Sequence, residues 1–197
     1  MSDTPHHVEY DDLPDDGGDD RVDPEVIRRR ERAFERIVQW GDPVLRSKTT
    51  PVSDIDDDVR AQVAEMKRIM VDAWGVGLAA PQIGSLRRLL VYRDPEVPDA
   101  ALQALINPEI EWASEETTVF TEGCLSIRGP VYPVERPSAV RVRALDEHGA
   151  EVVIEAEGVH ASCVQHEIDH LDGVLILDHL DRDAKREAIR ALRERGR

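Results

Sequence analysis

The segment Gln165-His166-Glu167-Ile168-Asp169-His170 has the residue types and spacing of a catalytic metal site. It contains His-Glu-x-x-His, in which two imidazoles stand four positions apart with a carboxylate beside the first. On an α-helix, residues i and i+4 share one face, so both rings can reach one metal ion. Glu167 lies near the same face, where it can exchange a proton with a metal-activated water. The alternative is an ordinary amphipathic helix, which the coincidence of both histidines with the glutamate disfavours.

The helix that must carry this motif can be delimited in the sequence. Val159 and Val164 before the motif indicate a buried helix, and Gly173 just after it indicates a glycine C-cap. The third metal ligand then decides the class of enzyme, because catalytic zinc-type sites use three protein ligands and keep one position for water. Metzincin peptidases read His-Glu-x-x-His-x-x-Gly-x-x-His. This chain matches as far as Gly173 and then has Ile176 in place of the last histidine. Peptidases with a glutamate ligand further downstream need a second helix to carry it, whereas the 27 residues after His170 indicate a strand-like run and a charged helix. The upstream cysteines are therefore the remaining candidates.

The two cysteines differ in how they could serve as that ligand. Cys163 lies on the motif helix, and its Cα is about 10.5 Å along the helix axis from that of His170. With a metal–sulfur bond of ~2.3 Å, its thiol could hardly join both imidazoles in a tetrahedron, so we interpret it as a small buried apolar residue. Cys124 follows a strand-like run, and a strand end can deliver a ligand to a helix from elsewhere in the fold. We therefore predict that Cys124, His166 and His170 bind one divalent metal ion.

Three segments of the chain resemble peptide deformylases. They are Gly75-Val76-Gly77-Leu78-Ala79-Ala80-Pro81-Gln82-Ile83-Gly84, Glu122-Gly123-Cys124-Leu125-Ser126, and Gln165 to Leu171 with Gly173. They occur in the family's order and at compatible separations, and the three together are very specific. The resemblance covers about Ile37 to Leu180, including Gly41-Asp42-Pro43-Val44-Leu45-Arg46. Residues before about Ile37 lie outside it.

The resemblance implies a hydrolase that removes formate from the N-terminal formylmethionine of newly synthesised proteins. Hydroxide generated at the metal would attack the carbonyl, and Glu167 would take the proton and return it to the leaving amine. The side-chain amide of Gln82 and the backbone N–H of Leu125 would stabilise the oxyanion. The implied substrate-binding residues are Val76, Glu122 and Cys163, which would line the methionine pocket, and Gly77, whose backbone would bond the substrate.

The resemblance also bears on the metal and on one substrate contact. Cysteine with two histidines suits zinc, iron(II), cobalt or nickel. The family implies Fe²⁺ in the cell, with Zn²⁺, Ni²⁺ or Co²⁺ in purified protein. In some members an arginine after the cysteine segment holds the substrate backbone, and here Arg128, Arg136 or neither takes that part.

The glycine-rich segment allows a second interpretation. Gly75 to Ala80 also fits Gly-x-Gly-x-x-Ala, a dinucleotide-binding pattern, with Asp94 nearly 20 residues further on. That pattern must follow a strand and open a helix. Here it follows a helical pattern, and Pro81 with Gly84 leaves no room for a helix before the strand Arg88 to Tyr92. We therefore predict a glycine-relaxed loop whose backbone approaches a substrate.

Composition limits the remaining possibilities. The chain has 197 residues, 41% of them hydrophobic, and a formal net charge of −16, which indicates one globular domain with enough chain for a core. No run is long enough to span a membrane, and the N-terminus lacks an apolar signal region. A thiolate ligand requires a reducing compartment, so we expect a cytoplasmic protein. The expected partners are N-formylmethionyl peptides and nascent chains, with no membrane and no DNA.

The order of elements predicts an α+β fold in which antiparallel strands pack around the central metal-binding helix, with additional N- and C-terminal helices. Four runs are typical of strands: Leu105 to Trp112, Thr117 to Thr121, Ala139 to Leu145 and Glu151 to Glu155. A turn at Asp146 to Gly149 makes the last two a hairpin. Four segments follow from this pattern: an acidic tail at 1–22, expected to be disordered, an extension helix at 23–36, the catalytic domain at 37–180 and a charged helix at 181–197.

The two ends of the chain have opposite charge. Residues 1–20 hold eight acidic and no basic residues, whereas residues 182–197 hold seven basic and three acidic residues. The basic helix is either a solvated helix with Ile189 and Leu192 inward or a contact for ribosomal RNA near the nascent-chain exit. The extension helix would begin at Asp23 as N-cap, with Val26, Ile27, Ala33 and Phe34 inward.

Two other functions were weighed against deformylation. A zinc endopeptidase is opposed by the missing downstream ligand. A non-catalytic relative that binds formylated N-termini or ribosomes is opposed by the intact Glu167 and Gln82.

Overall fold

The protein has the α+β fold that the sequence predicted, with four α-helices and seven strands among residues 23–195. The computed structural model describes residues 23–195, so the acidic tail at 1–22 and the last two residues of the chain lie outside the described part. The α-helices are α1 (Pro24–Arg36), α2 (Asp57–Asp72), α3 (Gly158–Leu171) and α4 (Arg182–Arg195). The strands are β1 (Gly77–Ala79), β2 (Leu89–Tyr92), β3 (Gln103–Ala113), β4 (Thr117–Cys124), β5 (Ile127–Pro137), β6 (Ala139–Leu145) and β7 (Glu151–Glu157).

The strands form two sheets that differ in size. The larger sheet has the order β1-β2-β3-β6-β7, and β4 pairs with β5 in a separate two-stranded ribbon. The hairpin predicted for β6 and β7 is confirmed, with Ala139 opposite Glu157 and Leu145 opposite Glu151. The short strand β1 lies at one edge of the larger sheet, so one side of its backbone is not paired within that sheet.

Helix α3 is the central helix that the motif predicted. It packs on the larger sheet through a core cluster that joins it to β1, β2, β6 and β7. The α3 residues of that cluster are Ala161, Cys163, Val164, Ile168 and Leu171. The helix ends as expected at Gly173, whose φ is +76°. A Cβ there would lie 2.6 Å from the carbonyl oxygen of Arg46, so both backbone conformation and space favour glycine.

Helix α1 packs against α2 on the opposite side of the sheet. The side chain of Asp23 accepts a hydrogen bond from the N–H of Glu25, and Pro24 occupies the first turn, as predicted. Ala33 and Ile37 are buried in a core cluster with apolar residues of α2, which is itself capped by Asp56. The expectation for Ile27 was wrong, because this side chain is 36% exposed.

Two other expectations about secondary structure require correction. The glycine-rich segment is not wholly a loop, because Gly77–Ala79 forms β1 and Ala80–Ile83 forms a 3₁₀ turn. Strand β5 was not predicted. It contains Pro130, Pro133 and Pro137, which argue against a strand in sequence, but a strand paired on one side only tolerates residues that lack an N–H donor.

The C-terminal elements close the site region from one side. A 3₁₀ turn, Ile176–Asp178, precedes α4, and Ala188, Ile189 and Leu192 join a cluster with Ile127 and Val134 of β5. The inward placement predicted for Ile189 and Leu192 is therefore correct. Within residues 23–195, no helix combines the length and apolar character needed to cross a membrane.

Candidate active site

The end of β4 and one face of α3 bring three metal-ligating side chains together. The ligand atoms of Cys124, His166 and His170 all lie within 4.8 Å of one another. The Sγ of Cys124 is 3.3 Å from Nε2 of His170, and the two imidazole rings meet edge to face with centroids 5.0 Å apart. One cysteine sulfur and two imidazoles converging on one point form a donor set that suits a divalent transition metal. The strand end delivers the cysteine, as the sequence argument required.

His166 is oriented by a buried carboxylate. Its Nδ1–H donates to Oε2 of Glu122 at 2.9 Å, which directs Nε2 toward the cluster. Burial alone would raise the pKa of Glu122, but hydrogen bonds with His166 and Arg136 hold it at about 2. Ser162 donates its hydroxyl proton to the same carboxylate at 2.7 Å. The carboxylate is therefore ionised and fully engaged, and it braces His166. The place in the methionine pocket that the resemblance implies for Glu122 stays a prediction.

The bracing continues through Arg136 to the surface. The guanidinium of Arg136 donates to both oxygens of Glu122, at 2.5 and 3.0 Å, and to Oδ2 of Asp169 at 2.8 Å. His179 donates from Nε2 to the same Asp169 oxygen at 2.7 Å. Arg136 is only 3% exposed, so its donors serve this network. Of the two arginines considered as substrate contacts, Arg136 thus donates its hydrogen bonds to Glu122 and Asp169.

The two ligand histidines differ in protonation. Burial lowers the pKa of His170 well below its ordinary value, which favours the neutral imidazole that a metal requires. Burial would also lower the pKa of His166, but hydrogen bonds with Cys124 and Glu122 raise it well above its ordinary value. Because a metal ion needs a neutral imidazole, metal binding at His166 would release its proton.

Glu167 is a buried carboxylate beside the cluster. Burial raises its pKa from 4.5 to about 7, and its Oε2 has no hydrogen-bond partner among the described residues. Its side chain lies against the backbone of Gly77, where a Cβ would be 2.4 Å from Oε1. A carboxyl group with a pKa near neutrality, held next to the three candidate metal ligands, has the properties of a general base and acid.

Gln82 is fixed with its amide nitrogen toward the cluster. Its Oε1 accepts a hydrogen bond from the N–H of Ala79 at 2.8 Å. Its Nε2 consequently faces the β4–β5 turn, 3.3 Å from Oγ of Ser126 and 3.9 Å from Sγ of Cys124. Leu125 lies in the same turn, next to the ligand cysteine. An amide N–H and a backbone N–H near one metal position are suitable donors for a developing oxyanion.

The remaining predicted residues surround this centre. The N–H of Arg93 donates to the carbonyl of Val76, so Val76 faces β2 and the next residue, Gly77, turns its N–H and C=O away from β2. Cys163 lies outside the ligand cluster, as argued from helix geometry, with its thiol 3.8 Å from the carbonyl oxygen of Val76. Burial raises the pKa of the Cys163 thiol well above its ordinary value, so it stays protonated.

Sequence reasoning missed the residues that act on the metal ligands from a distance. These are Ser162, Arg136, Asp169 and His179. Ser162 precedes His166 by one helical turn, and Asp169 lies inside the motif, so both spacings were visible. Arg136 and His179 carry no local signal, because their roles depend on contacts between distant segments.

The fold and the site define a metal-dependent hydrolase, and comparison with known proteins identifies its family. The sequence profile described as Polypeptide deformylase matches residues 34–186. Peptide deformylase of Rhizorhabdus wittichii is 44% identical over 171 residues, covering 84% of this chain and 96% of its own. That of Rhizobium meliloti is 48% identical over 142 residues, covering 72% and 82%.

Solved structures agree with the sequence relatives. Peptide deformylase from Ehrlichia chaffeensis in complex with actinonin has a TM-score of 0.77 and 36% identity, covering 82% of this chain and 96% of that one. The Legionella pneumophila enzyme has a TM-score of 0.75 and 39% identity, covering 80% and 92%. The chain belongs to the polypeptide deformylase family. Its reaction is the metal-dependent removal of the formyl group from the N-terminal methionine of proteins.

Proposed function

We propose that Cys124, His166 and His170 hold one iron(II) ion and that Glu167 moves the proton during deformylation. The observation that carries this assignment is the convergence of three ligand atoms within 4.8 Å, with the amide nitrogen of Gln82 3.9 Å from the cysteine sulfur. The thiolate of Cys124 adds the negative charge that two neutral imidazoles lack, so the donor set fits a divalent ion. When bound, the ion supplies Lewis acidity that lowers the pKa of water towards about 7.

The chain's own groups then carry the proton and the charge. Glu167 takes a proton from the attacking water because its buried carboxylate has a pKa close to neutrality, and it returns the proton to the leaving amine. The Nε2–H of Gln82 and the backbone N–H of Leu125 donate to the carbonyl oxygen as it gains negative charge. One such donor typically lowers the activation barrier by about 3 kcal/mol.

The substrate peptide is proposed to lie along the outer edge of β1. Gly77 turns its N–H and C=O toward that edge, so it can pair with an extended peptide as an added strand. Val76 and Cys163 are proposed to line the methionine pocket, since both are at the junction of β1 and α3. Glu122 is proposed to position His166 through its carboxylate and to border the same pocket.

Iron(II) is the proposed metal in the cell, although the donor set also accepts Zn²⁺, Ni²⁺ or Co²⁺. A thiolate ligand and a redox-active ion both require reducing conditions, which supports a cytoplasmic enzyme acting on nascent chains. The catalytic domain is proposed to span residues 37–180, flanked by the extension helix and by α4.

Formate release from formyl-Met-Ala-Ser tests this function directly. We expect turnover of that peptide with the iron-loaded enzyme under anaerobic conditions and none of acetyl-Met-Ala-Ser. An internal peptide bond, offered as a third substrate, should remain intact. Cleavage of the internal bond alone would identify an endopeptidase.

Contact with the ribosome through α4 is a separate proposal. The exposed basic side chains of this helix include Arg182, Arg186, Arg190 and Arg193. Phosphate contacts weaken steeply with salt, so co-sedimentation with ribosomes should fall between 50 and 200 mM salt. Ribosome binding that does not depend on the salt concentration, or the absence of binding, would contradict the proposal.

A further inference from the structure

Helix α1 is anchored on α2, and its core-facing residues are few. Most of α1 precedes the family span, which begins at residue 34. Ala33 and Ile37 are buried against α2, and Arg36 forms an ion pair with Glu65 of α2 at 2.6 Å. These contacts fix the helix at its C-terminal end and explain why it is folded. Phe34 packs against the same core cluster, and both its ring and the Arg30 side chain also make contacts outside α2.

Those two side chains contact two segments beside the proposed path of the peptide along β1. The segment before β1 and the segment after Cys124 are called here the two walls of the groove. The guanidinium carbon of Arg30 lies 4.2 Å from the ring centroid of Trp74, which leads into β1. The guanidinium carbon of Arg128, at the start of β5, lies 3.9 Å from the ring centroid of Phe34. Arg30 also lies 5.5 Å from the Phe34 ring. Two arginine–aromatic contacts thus join α1 to the segment before β1 and to the segment after Cys124.

The two walls are close to each other at this point. A Cβ at Gly75 would lie 2.8 Å from Cδ1 of Leu125, so the β1 wall touches the β4–β5 wall. Trp74 has a φ of +62°, a left-handed backbone conformation that is unusual for a bulky residue. Such strain persists only where the surroundings hold the residue, and the contact with Arg30 is one element that does so.

The direction of the bound peptide places its second and third residues near this brace. The reacting carbonyl must lie near Gln82 and Cys124, which follow β1 in the chain and in space. A peptide paired with the outer edge of β1 therefore extends backward along the strand, past Gly77 and toward Trp74. The residues after formylmethionine would reach the part of the groove that α1 braces.

We propose that α1 sets the affinity of the groove for the residues that follow formylmethionine, with Arg30 and Phe34 as positioning residues. They act through Trp74 and Arg128 and do not touch the reacting atoms. This inference rests on the proposed placement of the peptide along β1. It assigns a part in substrate recognition to the extension helix, most of which precedes the family span.

The test compares a tripeptide substrate with one that ends at the methionine. We expect Arg30→Gln to raise KM for formyl-Met-Ala-Ser about threefold to tenfold, as the loss of a cation–π contact implies. The kcat for this peptide and the KM for formyl-Met amide should stay unchanged. Phe34→Leu, which keeps an apolar side chain but removes the ring under Arg128, should have the same selective effect.

Two control variants separate this role from plain stabilisation. Arg29→Gln changes an exposed arginine of the same helix whose ion pair is with Glu25, and it should leave both KM values unchanged. Arg36→Gln breaks the ion pair with α2, so it should lower Tm without changing KM. An unchanged tripeptide KM in Arg30→Gln, or an equal rise for both substrates, would overturn the inference. A wild-type enzyme that releases no formate would overturn the function itself, and the inference with it.

Discussion

Glu167 combines a raised pKa with a position beside three metal ligands, and its role can be separated from metal binding. Its carboxylate is not part of the ligand cluster. We therefore expect Glu167→Ala to retain the metal and to lose activity by about 10²–10⁴-fold, the usual contribution of a general acid–base group. Metal content by elemental analysis and kcat on formyl-Met-Ala-Ser check this together. Near-normal turnover, or a protein without metal, would contradict the assignment.

The two cysteines provide a matched pair of substitutions. Cys124 lies in the ligand cluster, whereas the Cys163 thiol is buried and kept protonated. Serine is a poorer and usually protonated ligand, so Cys124→Ser should lose the metal and nearly all activity. Cys163→Ser should keep the metal and change mainly the KM. Elemental analysis of both variants, expressed with excess iron or nickel, decides the matter, and the reverse pattern would exclude Cys124 as the third ligand.

Gly77 is required by space as well as by its backbone contacts. A Cβ at this position would overlap the Glu167 carboxylate, which would have to move away from the metal cluster. Because a displacement of about 1 Å can cost 10²-fold in rate, we expect Gly77→Ala to lower kcat by roughly 10- to 100-fold while metal content is unchanged. In a protein that already carries Glu167→Ala, the Gly77→Ala substitution should lower kcat little further. Additive losses in the double variant would mean that Gly77 acts independently of Glu167.

At the scale of single residues, the sequence identified the candidate metal ligands but not the side chains that orient these ligands. The His-Glu-x-x-His spacing and the position of Cys124 predicted a cluster that the structure brings together. The resemblance implied a place for Glu122 in the methionine pocket, which stays a prediction. Its contacts with Arg136 and His166 were not foreseen, because these partners come from segments that only the fold brings close. The sequence could not show that its carboxylate would be consumed by these hydrogen bonds.

Secondary-structure elements were predicted correctly where their signals are local and were missed where they depend on distant segments. The caps Asp23 and Gly173 and the hairpin of β6 and β7 were predicted correctly, because their signals are local. Strand β5 was missed, since its prolines are acceptable only in a ribbon with one paired side. Whether a strand has one neighbour or two is a property of the sheet, so no segment of sequence shows it alone.

The 3₁₀ turn before α4 joins three elements through Asp178. Its carboxylate binds Arg46, Lys185 and the N–H of Leu175. Burial would raise the pKa of Asp178, but these hydrogen bonds lower it from 3.8 to about 2. A lowered folded-state pKa stabilises the protein above the unfolded value, and this stability is lost as the pH falls from about 4 to about 2.

Asp178→Asn should therefore lower the free energy of unfolding by roughly 1–2 kcal/mol at pH 7 and by little near pH 2. Urea denaturation across this pH range measures the difference. Glu155→Gln, which removes an exposed carboxylate paired with Arg141, is the control and should change stability by only a few tenths of a kcal/mol. A pH-independent difference for Asp178→Asn would show that the ion pairs do not stabilise the turn.

For the molecule as a whole, the hydrophobic core and the metal site are largely separate. Helix α3 packs on the sheet through Ala161, Val164, Ile168 and Leu171, which lie on a different face from the ligand histidines. A second cluster joins α1 and α2 to the other side of the sheet, and a third joins α4 to β5. Apolar burial thus stabilises the architecture mainly through residues other than the proposed ligands, of which Cys124 alone packs against one of these three clusters.

Removal of the metal should consequently abolish activity without unfolding the protein. Metal present at 100 times its dissociation constant adds about 2.7 kcal/mol to the stability of the folded state. We expect a chelator to lower Tm by the corresponding few degrees, while the far-ultraviolet circular dichroism spectrum at 25 °C stays that of the folded enzyme. Addition of iron(II) or nickel should restore both Tm and formate release. A chelated protein with the spectrum of an unfolded chain would show instead that the ion holds α3 to the end of β4, as a structural metal does in small metal-dependent domains.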